Sequence, residues 1–149
     1  MEPLAIFIKF LQGCITPVAM ISGVGLLLLT ITNRMARVVD RIRQLTAELS
    51  KIDDAKAFAK ACKKREIEIF YKRARLLRNS IASIMIGMIS SCLIIPILFI
   101  MSFTSFDLRI IGYSLFLISI ASMLTSFVYF FKDVLLSLHA IEIEASEYI

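Results

Sequence analysis

The sequence predicts an all-α membrane protein: three transmembrane helices, with a cytoplasmic antiparallel helical hairpin between the first and second spans. Three observations predict it. Of 149 residues, 58% are hydrophobic and 19% charged, where soluble domains run at about 45–50% and about 25%. The apolar residues gather in three stretches, 14–32, 80–103 and 110–131, none of which holds Asp, Glu, Lys, Arg or His. Each meets the requirement of about 20 apolar residues for a helix that crosses a bilayer. Finally, 14 of the 17 Lys and Arg fall between Asn33 and Ser80, against six acidic residues there, a local net charge of +8. The length suits one membrane domain over 1–149, and so apolar a chain excludes both disorder and an ordinary soluble enzyme.

The segment Leu4–Leu11 ahead of the first stretch is apolar but too short to span. Either it lies along the interface, or it continues the first helix at a kink near Gly13 and Pro17. It does not read as a cleaved signal peptide, because Glu2 and Lys9 stand where a basic cluster belongs. The first span, 14–32, contains Ala19 and Gly23 four residues apart, a spacing that lets helices approach closely.

The first span is expected to run on into the cytoplasm as one helix. Met35, Val38, Ile42, Leu45, Leu49 and Ile52 alternate steps of three and four, a heptad seam whose phase reaches back through Ile31 and Leu28. The part beyond Arg34 would project about 28 Å at 1.5 Å per residue. A turn is expected at Ile52-Asp53-Asp54-Ala55, since Asp favours turns and N-caps. The returning helix repeats the spacing at Ile67, Phe70, Ala74, Leu77 and Ile81. These seams make a hairpin over 33–79 that packs either within one chain or between subunits.

The second span, 80–103, aligns Ser83, Gly87 and Ser91, and the third, 110–131, puts Ser119, Ser122 and Ser126 on one face. Both lines serve helix packing within the chain, subunit contact or a polar lining. Residues 132–149 form a C-terminal cytoplasmic helix carrying Asp133, Glu142, Glu144 and Glu147, expected to dock on the basic hairpin. The positive loop orients the whole: N-terminus and the Thr104–Arg109 turn outside, hairpin and C-terminus inside.

The stretch where the first span ends is the most unusual. Thr30, Arg34, Arg37 and Arg41 share a helix face, with Asn33 beside them. They would either ring the inner mouth of an oligomeric pore and favour anions, or bind anionic lipid headgroups. Nucleic acid is not the expected partner, because no nucleic-acid-binding signature accompanies the charge. No catalytic, cofactor or metal site is expected. Cys14, Cys62 and Cys92 are scattered, His139 stands alone, and no phosphate loop or nucleophile elbow is present.

The run Ile15-Thr16-Pro17-Val18-Ala19, Ser22-Gly23-Val24-Gly25-Leu26-Leu27-Leu28-Leu29, Thr32-Asn33-Arg34 and Arg37-Val38-Val39-Asp40-Arg41-Ile42-Arg43 resembles the start of a bacterial membrane family, domain of unknown function 2721. Arg73–Arg78 and Val134–Leu138 are similar to later parts of it. The resemblance implies a three-span bacterial membrane protein and carries over no activity. The order of span, cytoplasmic hairpin and two spans is also similar to the core plan of the Oxa1/YidC insertases. Those place a basic residue in an intramembrane groove, for which Arg34 is the nearest candidate here. The expected function is a homo-oligomeric, channel or pore-like protein of the inner membrane, not an enzyme, with ions and membrane lipids as partners. The alternatives are an insertase- or chaperone-like membrane factor, and a structural lipid-interacting protein.

Overall fold

A computed structural model describes residues 2–51, 57–103 and 107–147. They form three helices, α1 (Glu2–Leu49), α2 (Ala57–Phe103) and α3 (Arg109–Glu147). Each is long and apolar enough to cross a membrane, so the protein is an all-α, three-span membrane protein. The turn expected at Ile52–Ala55 lies outside the described residues, as do residues 104–106 of the Thr104–Arg109 turn.

The helices are longer than their apolar stretches because nothing in the sequence stops them at the stretch ends. Leu4–Leu11 continues α1 through Pro17. Proline there forfeits one backbone hydrogen bond, which is tolerated in membrane helices. Past Ile31, α1 runs on through its charged residues to Leu49, where the last turn tightens: Ser50 N donates to the Thr46 carbonyl and Lys51 N to the Glu48 carbonyl, both at 3.1 Å. At the start of α3, Asp107 Oδ1 accepts from Arg109 N at 3.2 Å and caps the helix. α3 passes through Lys132 and Asp133 into the C-terminal segment without a break.

The chain divides into two compact units. One holds Met1–Leu29 and Ala82–Ser126, the other Thr30–Ile81 and Phe127–Ile149. In the first, Val24 and Ile84 are buried together with Ser90, Ser91 and Ser119. Ser119 Oγ donates to the Gly87 carbonyl at 3.0 Å. Its single proton is then spent, so Ser91 Oγ donates to Ser119 Oγ, 2.7 Å away. A Cβ on Gly87 would sit 3.2 Å from the Ser119 carbonyl oxygen and 3.5 Å from Ser122 Cβ. Glycine is what permits this approach. Phe10 and Phe99 meet edge to face, centroids 5.9 Å apart.

In the second unit the buried apolar residues are Ile31, Val38, Leu45 and Leu77, with Ser80 and Asp133 among them. Met35, Ile42 and Leu49 of the α1 seam are half-buried, as are Ile67, Phe70, Ala74 and Ile81 of α2. Ion pairs join Arg41 to Glu66 at 3.1 Å and Lys63 to Glu48.

Burial is otherwise sparse. Only 17%, 22% and 11% of the most apolar window of α1, α2 and α3 is buried. Exposed side chains include Ile15, Leu26, Ile89, Leu117 and Leu124. Apolar surface on this scale needs an apolar solvent, and a bilayer is one.

Candidate functional site

In the second unit, a buried carboxylate stands between two arginines. Asp133 on α3 is fully buried. Arg73 on α2 donates through Nε to Asp133 Oδ1 at 3.2 Å, and Arg34 on α1 brings its Nε to 3.9 Å from Oδ2. The second distance is an ion pair but too long for a hydrogen bond, and Oδ2 has no hydrogen-bond partner among the described residues. Each of the two guanidinium carbons lies over an aromatic ring. Phe130 lies 5.2 Å from Arg34 Cζ, and Phe70 lies 5.5 Å from Arg73 Cζ.

Beside this cluster is an open cleft of about 490 Å³, lined by Thr30, Arg34, Arg37, Val38, Phe70 and Arg73. Three arginines line it against the one carboxylate of Asp133, a local charge of +2. Arg37 is exposed and carries no ion pair among the described residues. Every member sits where an apolar stretch meets charge. Thr30 and Arg34 bracket the end of the first stretch, Arg73 precedes the second by seven residues, and Asp133 follows the third by two.

Of the residues singled out from the sequence, Thr30, Arg34 and Arg37 come together at the cleft. Asn33 is exposed on α1 outside it. Arg41 is engaged by Glu66. Gly87 and Ser91 are buried against Ser119, Ser126 is buried, and Ser83 and Ser122 are half-buried. Ala19 and Gly23 are exposed, and a Cβ on Gly23 would meet nothing within 4 Å. The side chains of His139, Glu142, Glu144 and Glu147 lie outside the described residues.

The sequence placed Asp133 only in an acidic segment expected to dock on the basic hairpin, and Phe70 only in the α2 seam; it did not single out Asp133, Arg73, Phe70 or Phe130 as site residues. A signal for Asp133 was present. Ser119, Ser126 and Asp133 are spaced by seven, so the serine face of α3 continues into the carboxylate. Outside the cleft, the Lys63 ammonium hydrogen-bonded to Glu48 holds that carboxyl below its ordinary 4.5. Among the described residues no three His, Cys, Asp or Glu stand close enough to hold a metal ion.

This arrangement can bind and orient an anion. A comparison with curated proteins and one with solved structures each found no match. The profile of the family described as protein of unknown function (DUF2721) matches residues 14–143. The match takes in all three spans, both arginines and Asp133, and the chain belongs to that family.

Proposed function

We propose that the protein is a non-enzymatic, homo-oligomeric, pore-like protein of the bacterial inner membrane, with its N-terminus outside and its C-terminus in the cytoplasm. One observation carries this reading. Ala19, Gly23, Leu26, Thr30, Asn33 and Arg37 follow one another on α1 at steps of four, three, four, three and four, and all six are exposed. This face is small toward one end and polar, then basic, toward the other. Without a hydrophobic drive between helices in lipid, small residues are what favours contact. A second copy of the same face is the simplest occupant. Copies of α1 around an axis would leave Thr30, Asn33 and Arg37 at the inner mouth, a lining that favours anions. Arg34 is not part of that lining, since Asp133 and Phe130 hold it.

The orientation rests on the +8 segment between Asn33 and Ser80. An antiparallel, coiled-coil-like hairpin over 33–79 is supported by its ion pairs. Arg41 meets Glu66, while Glu48, further along α1, meets Lys63, earlier on α2. Ile31, Val38 and Leu45 are buried at intervals of seven, a period that goes with left-handed supercoiling.

Reconstitution in planar bilayers tests the pore. The expected result is an anion-selective conductance whose selectivity falls or inverts in Arg37→Glu. An assembly that conducts nothing, or a conductance indifferent to Arg37→Glu, overturns it. A second reading, an insertase- or chaperone-like factor with Oxa1/YidC-like topology, is favoured by the basic cleft beside Arg34. It predicts that depletion slows membrane insertion of proteins while leaving ion permeability unchanged.

A further inference from the structure

We propose that the Arg34–Arg37–Arg73 cleft is a phosphate-binding site, in which Asp133 positions two of the three guanidiniums. The reading does not depend on assembly, because every lining residue belongs to one compact unit of one chain.

The geometry of the arginines points to it. A guanidinium offers five N–H donors in a planar fork, with Nε–H on one edge and the paired Nη–H groups at the end. Asp133 takes the Nε edge of Arg73 and faces that of Arg34. Arg73 Cζ lies over the Phe70 ring and Arg34 Cζ over the Phe130 ring. Among the described residues, the Nη groups of Arg34 and Arg73 make no hydrogen bond. Both side chains nonetheless line the cleft. Donors whose base is fixed and whose ends are open are pre-ordered for an oxyanion, and the ordering entropy is already spent.

Charge supports the same conclusion. Asp133 offsets one positive charge, leaving +2 at the cleft with Arg37 included, which suits a phosphate monoester or diester. Thr30 forms part of the wall. A volume of about 490 Å³ lies within the roughly 300–1,000 Å³ of small-molecule sites, enough for a phosphate with the group it esterifies. Phosphate chemistry has two sources at such a boundary, a phospholipid headgroup or a soluble phosphate compound. Plain attraction of a basic segment to an anionic surface would need no cleft. The test must therefore separate this site from the general charge.

The full chain is placed in nanodiscs of zwitterionic phosphatidylcholine. Two probes are used: inorganic phosphate, followed by calorimetry, and phosphatidylglycerol doped into the disc, counted by native mass spectrometry. Saturable binding of either probe is expected, weakened roughly ten-fold or more by Arg37→Gln, the loss of one charged hydrogen bond. Arg37 has no part in the Asp133 cluster, so this variant should fold. Arg73→Gln/Asp133→Asn, which removes a charged pair together, should abolish binding. Arg43→Gln, an exposed base on the same helix outside the cleft, should leave binding unchanged. Binding of both probes assigns the site to the phosphate group itself. Binding of phosphatidylglycerol alone assigns it to a lipid headgroup, and of phosphate alone to a soluble ligand. No saturable binding of either probe overturns the proposal, and so does an Arg43→Gln loss equal to that of Arg37→Gln. A protein that proves monomeric but binds phosphate leaves this site standing while the pore reading falls.

Discussion

Removing Arg73 should harm the fold more than removing Asp133, although the two are partners in one ion pair. The difference follows from burial. The Asp133 side chain is wholly inaccessible, while those of Arg73 and Arg34 keep 13% and 26% of their exposure. In Arg73→Gln the carboxylate stays buried with only Arg34 Nε at 3.9 Å. Breaking a buried pair in this way costs about 3–5 kcal/mol. In Asp133→Asn the two guanidiniums keep their aromatic neighbours and can draw on water through the cleft. The loss should then be about 1.5 kcal/mol, the low end for a charged hydrogen bond. The double variant lacks both charges and should be more stable than Arg73→Gln alone. The cycle should show a coupling of about 2–3 kcal/mol. Reversible unfolding in mixed micelles, followed by circular dichroism across a titration of denaturing detergent, measures all four proteins. If Arg73→Gln costs no more than Asp133→Asn, or if the two changes add within about 0.5 kcal/mol, the cluster is not organised around a buried carboxylate.

Other consequences concern separate parts of the molecule. Gly87→Ala should destabilise by about 1–3 kcal/mol, because its Cβ would press on the Ser119 carbonyl oxygen at 3.2 Å. Gly23→Ala should cost less than Gly87→Ala in the same unfolding assay, because within the chain its Cβ would meet nothing within 4 Å. Because Lys63 depresses the Glu48 pKa below 4.5, the Glu48–Lys63 contact stabilises above the ordinary carboxylate range. It fades only as pH falls through the lower folded value. Glu48→Gln should remove that acid-side component, read as melting temperature against pH. Cys62, exposed on α2, should resist a membrane-impermeant maleimide in intact cells and react after permeabilisation, in a Cys14→Ala/Cys92→Ala background. Labelling in intact cells would reverse the orientation.

What sequence can show depends on whether a signal is local. The apolar stretches and the α1 seam are local, so Ile31, Val38 and Leu45 were legible as core from spacing alone. The serines of α2 and α3 were legible as close-packing residues, and Ser91 and Ser119 do meet. Residues 34, 73 and 133 are far apart in the chain, and no window contains more than one of them. Arg73 looked like any other base in a basic loop. Asp133 looked like the start of an acidic tail, because it is the first acid after an apolar stretch. Only its heptad phase with Ser119 and Ser126 marked it as inward-facing. Arg34 was legible as unusual, but its partners were not. The exposed α1 face could be written out from the sequence, yet its exposure required knowing which α1 face the other helices cover.

In the proposed pore the exposed α1 face meets a second copy of itself. Intermolecular disulfide formation at Ala19→Cys, in membranes and with the three native cysteines replaced, tests it most directly. Leu93→Cys, exposed on α2, serves as the reference position. Rapid cross-linking to twice the 16.8 kDa chain mass is expected at Ala19→Cys, and little at Leu93→Cys. Equal cross-linking at both positions, or none at Ala19→Cys, would contradict it.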